Sequence, residues 1–392
     1  MKNGTNEEVL IEREAEINKF LAELSEEQDP RSKQGRSFSI GELFLVVLCA
    51  QICGFETLRE YETYGKVKLN LLKRFLPYEH GAPSKSTLAR ILCILDPLLL
   101  EAFLLKWMNS IVKLQEDQKH IAIDGKAHRG VRADEDKDKL HLVHAFGVES
   151  GMLLGQEKVA EKSNEITAIP KLLDALYIEK QIVTIDAMGC QKAIAKKIRE
   201  KKADYVLALK GNQGKLHADV ELYLNDPKQL SKTKQCETLD KGHGRLEIRR
   251  CYVTDKITWL HGKTEWEDLK TIARVERVSI QEGIETKEDR YFISSLAANP
   301  KEILAASRAH WGVENNLHWV LDVVFREDDR IIWNQNFARN ESTIRRIALN
   351  LLKKFQQVCD YKVGKTKVAI KTLRKVLFGN DDNMEKLIQG VS

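Results

Sequence analysis

The order of strands and helices predicted between residues 120 and 209 is the feature that most restricts the fold of this chain. Apolar runs alternate there with amphipathic ones, and Ser150-Gly151 forms a tight turn between two of them. The predicted strands are His120–Ala127, Leu140–Glu149, Met152–Val159, Gln181–Asp186 and Asp204–Leu209, and the predicted helices are Asn164–Tyr177 and Gln191–Lys202. Three antiparallel strands followed by β-α-β units predict an α/β fold, a mixed sheet covered by helices.

The segments that flank this core have different patterns. Residues 1–115 are mainly helical, with Ser39 placed as the N-cap of a buried helix. The segment Leu88–Leu95, with Lys85 and Arg90, fits either the recognition helix of a helix-turn-helix unit or an ordinary packed helix. We therefore divide the chain into four parts. They are an N-terminal helical domain that is a candidate for DNA binding (1–115), a core (116–210 and 299–360), a β-rich insertion (211–298) and a basic C-terminal tail (361–392).

Composition limits the class of protein. The 392 residues carry a net charge of +5, which permits nucleic acid as a partner without requiring it. The seven cysteines form no CxxC pair, which argues against a disulfide framework or a zinc ribbon and fits a reducing cytoplasm. The longest apolar run, Leu43–Cys53, is shorter than the roughly 20 residues that span a bilayer. We therefore expect a cytoplasmic protein without a membrane partner.

Two aspartates stand at the ends of predicted strands. Asp124 follows Ile121 and Ile123, and Asp186 ends the apolar run Ile182–Ile185. A carboxylate in an apolar strand is costly to bury unless it is paired or binds a metal, and strand ends open into the crevice where α/β sheets place their sites. Two adjacent carboxylates need a cation between them, or one must stay protonated. Hard oxygen ligands without cysteine favour Mg²⁺ or Mn²⁺.

The segment from Arg308 to Arg330 is the predicted source of a third acid. Its apolar residues recur at spacings of three, four and seven, which is typical of a helix. His310, Glu314 and His318 lie four residues apart on a neighbouring stripe. A third carboxylate beside the two aspartates would complete a two-metal site for phosphoryl transfer. The residues alone leave four candidates, which are Glu314, Asp322, Glu327 and Asp328.

Three motifs resemble those of the DDE transposases of bacterial insertion sequences, most of all the group that includes the H-repeat-associated proteins. The motifs are D-G-K at 124–126, I-D-A-M-G-C-Q at 185–191 and H-W-G-V-E-N-N-L-H-W-V-L-D-V-V-F-R-E-D at 310–328. The resemblance implies an RNase H-like core with a β-rich insertion before the last catalytic helix. It also implies that Glu314 is the third catalytic acid, which leaves Asp322, Glu327 and Asp328 as supporting or surface groups.

The activity expected from this resemblance is DNA transposition. Asp124, Asp186 and Glu314 would hold two Mg²⁺ (or Mn²⁺) ions, cleave DNA at the element ends and transfer the freed 3′ end into target DNA. The expected partners are double-stranded DNA, as terminal inverted repeats and target, and further copies of the chain in a homo-oligomer on DNA. When bound to DNA the protein would be associated with the nucleoid.

The chain departs from the Tyr-Arg-Glu-Lys signature that related enzymes carry around the glutamate. His310 stands where the arginine is expected, and the expected lysine falls at or beside Leu321 and Asp322. Other residues are therefore candidates for DNA contacts. They are Lys210 and Asn212 after the fifth strand, His243 and Arg245 in a glycine-flanked basic loop, and His310 and His318 beside Glu314.

Other classes of function remain open at this stage. An RNase H-like nuclease could cut DNA without strand transfer, and a relative without activity could still bind DNA. A helical interaction protein with a basic tail is a third class, but it does not explain acids at the ends of strands.

Overall fold

The computed structural model describes residues 20–21, 24, 29–31, 36–114, 117–131, 140–160, 163–242, 244–358, 362–363 and 366–389. The chain forms two compact units. The first unit contains residues 1–110, 127–140 and 318–392, and the second contains residues 111–126 and 141–317.

Helices and strands alternate along the described chain. The helices are α1 (Ile40–Ile52), α2 (Leu58–Val67), α3 (Leu69–Leu72), α4 (Lys85–Ile94), α5 (Pro97–Leu114), α6 (Glu165–Ala175), α7 (Lys192–Glu200), α8 (Gly214–Asn225), α9 (Pro227–Leu230), α10 (Pro300–Val313), α11 (Gln335–Val358), α12 (Ile370–Phe378) and α13 (Asp381–Gln389). The strands are β1 (His120–Ala127), β2 (His141–Gly147), β3 (Met152–Lys158), β4 (Ile182–Ile185), β5 (Asp204–Leu209), β6 (Lys234–Gly242), β7 (Arg245–Thr254), β8 (Thr271–Gln281), β9 (Ile284–Ser294), β10 (Lys362–Val363) and β11 (Thr366–Lys367).

A mixed sheet organises the second unit. Over the described residues it has nine strands in the order β3-β2-β1-β4-β5-β9-β8-β7-β6. β4 pairs in parallel with both β1 and β5, whereas β2 and β3 are antiparallel. The α/β fold with a mixed sheet and flanking helices is therefore confirmed.

The β-rich segment that follows β5 extends this same sheet. β9 pairs antiparallel with β5, and β8, β7 and β6 continue outward as an antiparallel meander. The sequence analysis missed β6, because its residues are mostly polar and exposed and show no apolar alternation. An edge strand pairs with a single neighbouring strand, so a mostly polar sequence can form it.

Helix α10 packs on the sheet. It begins at an N-cap, Asn299, whose side chain accepts a hydrogen bond from the Lys301 N–H, and Pro300 occupies its first turn, where no backbone donor is needed. Ile303, Leu304 and Ala306 join a buried cluster with residues of the sheet. The sheet-side residues of that cluster are Ile182, Val206, Cys251, Val253, Ala273, Val275 and Phe292.

The hydrogen-bonding pattern of α10 changes at Glu314. The helix continues as π-helical turns, Glu314–His318 and Val320–Val324. Such wider turns are rare and occur frequently at functional sites, since the extra residue turns side chains away from their regular α-helical directions. Glu314 thus stands where the α-helical part of α10 ends.

The first unit is mainly helical, and it includes the N-terminal helices predicted from the sequence. The predicted N-cap Ser39 forms a capping box with Glu42, since each side chain accepts a backbone N–H of the other residue, at 3.1 and 2.7 Å. All residues of α1 are buried. The long helix α11 packs against α1 and α4.

Residues 361–392 contain two helices, α12 and α13, in their described part. Leu373, Leu377 and Leu387 are buried there, and α12 contacts both α11 and α13. The description as a basic tail therefore fits the charge of this segment, whereas its apolar residues pack as part of the first unit.

Covalent and membrane features are few in the described residues. The cysteines at positions 49, 53, 93, 190, 236 and 251 are free thiols. None of the described helices has the length and apolar character that crossing a membrane requires.

Candidate functional site

Asp124 and Asp186 lie on adjacent parallel strands. In the register of β1 and β4, Ile123 pairs with Ile185, so each aspartate comes one residue after a paired isoleucine. The expectation that Asp124 ends its strand was wrong, because β1 continues to Ala127 beyond its pairing with β4, whereas Asp186 directly follows β4. Parallel strands present their carboxyl ends at the same edge of a sheet. The two carboxylates are therefore brought to one edge of the second unit.

Glu314 joins these aspartates at a single cavity. The cavity has a volume of about 430 Å³, and Asp124, Asp186 and Glu314 all line it. We call it the acid cavity. Its other polar and aromatic lining residues include Thr184, Lys210, His217, Glu221, Arg290, Ser307, His310 and Trp311.

Like charges crowd around Asp124. Burial is the largest cause that raises the pKa of Asp124 to about 7, followed by the negative charges of Glu165 and Asp186, with Glu314 a smaller contribution. The Gly125 N–H donates to Asp124 Oδ1 at 2.9 Å and opposes the shift. A carboxyl whose pKa is raised in this way within a cleft is typical of a functional site.

Glu165 is a fourth carboxylate that the sequence analysis missed. It lies in the first turn of α6 and pairs with His141 at 2.9 Å. A Cβ at position 125 would come within 1.9 Å of Glu165 Oε1 and 2.7 Å of His141 Nε2. Glycine in D-G-K is therefore required by the close approach of this acid–histidine pair, and no spacing in the sequence links residue 125 to residue 165.

The loop that carries Asp186 is held from several directions. The Gly189 N–H donates to Asp186 Oδ1 at 3.1 Å, and a Cβ at Gly189 would lie 2.2 Å from the Ile185 side chain. The Asn212 side-chain amide donates to the Ala187 carbonyl at 2.6 Å, and Gln213 donates to the Cys190 carbonyl at 2.8 Å. These contacts give Asp186 a defined position.

His310 is a neutral group in the acid cavity. Its Nδ1 lies 3.3 Å from Thr184 Oγ1. Burial lowers the pKa of His310 below its usual value, even though the charge of Asp186 acts in the opposite direction. At neutral pH this imidazole does not supply the positive charge of the arginine that it replaces. Arg290, on β9, brings a guanidinium to the same cavity.

The remaining predicted DNA-contact residues occupy different places. Lys210 is exposed and lines the acid cavity, whereas the amide of Asn212 holds the Asp186 loop. Arg245 lines a second cavity of the second unit. His318 belongs to the first unit, and His243 lies outside the described residues.

The other acids of the 308–330 segment belong to the first unit. The Asp328 carboxylate accepts the Arg129 N–H at 3.1 Å. Glu327 was expected to be a supporting or surface group. It is not a surface group, since it is 3% exposed and pairs with Arg346 at 2.7 Å, where α11 brings that guanidinium to it. The sequence offered no sign of this partner, which is 19 residues away.

The chemistry of the acid cavity suits a divalent cation. Carboxylate oxygens are the ligands that Mg²⁺ takes, and a cation would offset the negative charge around Asp124. In the part of the chain that the structure describes, no three His, Cys, Asp or Glu side chains lie close enough together to hold an ion. The chemistry of the donor set fits a divalent cation.

The comparison with known proteins agrees with the fold. Residues 115–351 match the family described as Transposase DDE domain, and residues 21–108 match the family DDE_Tnp_1-associated. The chain belongs to the DDE transposase family, and its mixed sheet is the RNase H-like core of that family.

Relatives of known name cover nearly the whole chain. The putative transposase YncI of Escherichia coli O157:H7 is 39% identical over 91% of this chain and 93% of its own length. The H repeat-associated putative transposase YhhI of Escherichia coli K12 is 38% identical over 86% of this chain and 91% of its own. A shorter relative from the same strain, the inactive transposase YbfQ, is 29% identical over 19% of this chain and 90% of its own.

Proposed function

We propose that this protein cleaves DNA strands at the ends of a mobile element and transfers them into target DNA. The observation that carries the proposal is the convergence of Asp124, Asp186 and Glu314 on the acid cavity. The raised pKa of Asp124 supports it, since crowded carboxylates of this kind serve to bind cations.

In this proposal, Asp124, Asp186 and Glu314 hold two divalent cations, Mg²⁺ or Mn²⁺. The bound ions would activate the attacking oxygen and stabilise the leaving oxygen of a phosphodiester. The Gly189 N–H and the Asn212 contact keep Asp186 in place. A fixed carboxylate lowers the reorganisation needed to reach the transition state.

The other residues of the acid cavity act on the DNA. Lys210 and Arg290 supply positive charge next to the acids, where the phosphodiester would lie. Neutral His310, held by Thr184, accepts or donates one hydrogen bond without adding charge. Water would first attack at the element end to free a 3′-hydroxyl, and that hydroxyl would then attack the target strand, with the protein acting as a homo-oligomer.

A nuclease with the same site is the alternative function. It would share the first step and lack the second. A DNA-binding relative without activity is a weaker alternative, because all three acids are present and line one cavity.

Cleavage of DNA that carries the inverted repeats flanking the gene tests the proposal. With Mg²⁺, the wild-type protein should nick the element end, and Asp124→Ala should bind the same DNA without nicking it. A second substrate with a pre-cleaved 3′ end should be joined to target DNA. Cleavage without joining would establish the nuclease, and no Mg²⁺-dependent cleavage by the wild type would overturn the proposal.

A further inference from the structure

A second cavity of about 430 Å³ in the second unit is rich in arginine. Among the described residues, five arginines line it, from strands β7, β8 and β9 and from helix α10. Trp311 of α10 and Asn315 of the π-helical turn that follows it also line this cavity. We call this the arginine cavity. Its arginines are Arg245, Arg249, Arg277, Arg290 and Arg308.

The arginines are gathered on one face of the sheet at an energetic cost. Arg245 and Arg249 are separated by even spacing on β7, so their side chains point to the same face. Arg249 is the direct cross-strand partner of Arg277 on β8. Like charges directly opposite each other destabilise a sheet, so this pairing is unfavourable for folding unless something offsets it.

Glu247 offsets that repulsion. It pairs with Arg245 at 3.0 Å, accepts a hydrogen bond from Arg277 Nε at 3.1 Å, and is ion-paired with Arg249. Burial would raise the pKa of Glu247, but the Arg277 hydrogen bonds and the neighbouring arginine charges lower it below its usual value. A single ionised carboxylate, 6% exposed, therefore sets the position of these guanidiniums.

The cavity keeps an excess of positive charge. Asp240 pairs with Arg249 at 2.8 Å and Arg308 at 3.0 Å, and Glu288 pairs with Arg290 at 2.7 Å. In the described part of the chain, the ion pairs of this cluster join the five arginines to three carboxylates, those of Asp240, Glu247 and Glu288. Each guanidinium has five N–H donors, so many remain for a further acceptor.

The arginine cavity adjoins the acid cavity. Arg290, Phe292, Ser307 and Trp311 line both. The Arg290 guanidinium lies 4.6 Å from the centre of the Trp311 ring, which fixes it at the boundary. The two cavities are therefore direct neighbours, and Arg290 and Trp311 stand between the acids and the other arginines.

We propose that the arginine cavity binds the phosphodiester backbone of the DNA strand whose scissile phosphate lies in the acid cavity. The proposal rests on the proposed function and adds to it the site that holds the strand. Planar guanidiniums match phosphate oxygens in pairs, which is the geometry that Glu247 prepares. The site supplies the positive charge that His310 does not provide at neutral pH.

The DNA affinity of Glu247→Gln distinguishes this proposal from a general attraction between positive charge and DNA. Removing a negative charge should tighten binding if only net charge matters. If Glu247 organises the arginines, the same change should weaken binding about tenfold, a typical loss for a displaced charge-assisted contact. Affinity would be measured by fluorescence anisotropy of a labelled duplex that carries the element end, with Ca²⁺ in place of Mg²⁺.

Arg308→Ala and Arg250→Ala each remove one positive charge, so the second variant is a control for the first. Arg308 lines the cavity, whereas Arg250 lies on β7 next to Arg249 and points to the opposite face, where it pairs with Glu237 and Glu276. Arg308→Ala should weaken binding and reduce the slope of log affinity against log salt by about 1. Arg250→Ala should change neither.

The proposal is overturned if Glu247→Gln, folded by circular dichroism, binds as tightly as the wild type or more tightly. It is also overturned if Arg308→Ala and Arg250→Ala behave alike. Arg277→Lys keeps the charge and loses the planar group, so it should also bind more weakly. Failure of the wild type to cleave DNA would count against the proposed function, and the binding results would still test the cavity.

Discussion

Two groups of carboxylates in this protein differ in what surrounds them. In the first unit, Glu327 and Glu341 are each bound by arginines. In the second unit, Asp124 shares the acid cavity with Asp186 and Glu314, and burial and neighbouring carboxylates raise its pKa. The same chemical group is therefore neutralised in one place and left with like charges in the other.

In the first group, arginines stabilise the ionised form of the carboxylates. The Glu341 side chain is fully buried and contacts Arg345 at 2.8 Å, Arg330, and the Tyr61 hydroxyl at 2.7 Å. Burial would raise the pKa of Glu341, but the charges of Arg345 and Arg330 lower it. Breaking a buried pair of this kind is costly, because it leaves an uncompensated charge.

The second group is unfavourable without a further ligand. Burial and neighbouring carboxylates raise the pKa of Asp124 to about 7, so its charge opposes folding at neutral pH. Glu327 and Glu341 face arginines, whereas Asp124 faces further carboxylates whose charge a bound cation would offset. This difference supports the proposal that Asp124, Asp186 and Glu314 carry the chemistry.

The largest effect is expected for Asp186→Asn. Removing this carboxylate should lower Mg²⁺-dependent strand cleavage by on the order of 10³-fold, since a metal ligand supplies several kcal/mol of transition-state stabilisation. The thermal unfolding midpoint should not fall. Cleavage by the variant at the wild-type rate would show that Asp186 is not needed for the reaction, and the two groups of carboxylates would then not differ in function.

A loss of stability is expected for Glu341→Gln. This change removes the 2.8 Å charge partner of Arg345, whose side chain is only 3% exposed, and leaves the longer contact to Glu327 at 3.9 Å. It should lower the free energy of unfolding by about 3 kcal/mol. Urea denaturation would measure it. The control is Glu237→Gln, which breaks an exposed pair with Arg250 and should cost less than about 1 kcal/mol. Equal losses in both variants would contradict the structural role of Glu341.

A smaller gain of stability is expected for Asp124→Asn. The pKa of Asp124 is about 7 in the folded protein and near 3.8 otherwise, so the wild type loses stability as the pH rises through this range. Without metal, the variant should be more stable at pH 8 by on the order of 2 kcal/mol, since the carboxyl is only partly buried. The gain should disappear as the pH falls toward 4. Unfolding with EDTA at both pH values would show it, and a variant less stable at pH 8 would contradict the account.

Much of the core could be predicted because its signals are local. The bounds of β1 and β5 agree with those expected from apolar runs, since buried strands need such runs. Asp124 and Asp186 stood out because a charged residue ended each run. Glu314 was selected among four acids by its resemblance to a known motif and not by physical reasoning.

The rest depended on partners that are distant in the sequence. Glu165 lies beside Gly125 only after α6 packs on the sheet, and Glu327 is buried only because α11 brings Arg346 to it. The arginine cavity arises from the cross-strand pairing of β7, β8 and β9. Charged residues in these strands look like an ordinary solvated face until the register is known.

The most direct test of the central claim is single-turnover cleavage of element-end DNA by Glu314→Gln. Binding would first be measured with Ca²⁺ in place of Mg²⁺. Cleavage by the two proteins would then be compared at concentrations that bind the same fraction of the DNA. The account predicts wild-type binding and a loss of Mg²⁺-dependent cleavage of on the order of 10³-fold. Cleavage at the wild-type rate by the bound variant would show that Glu314 is not the third acid.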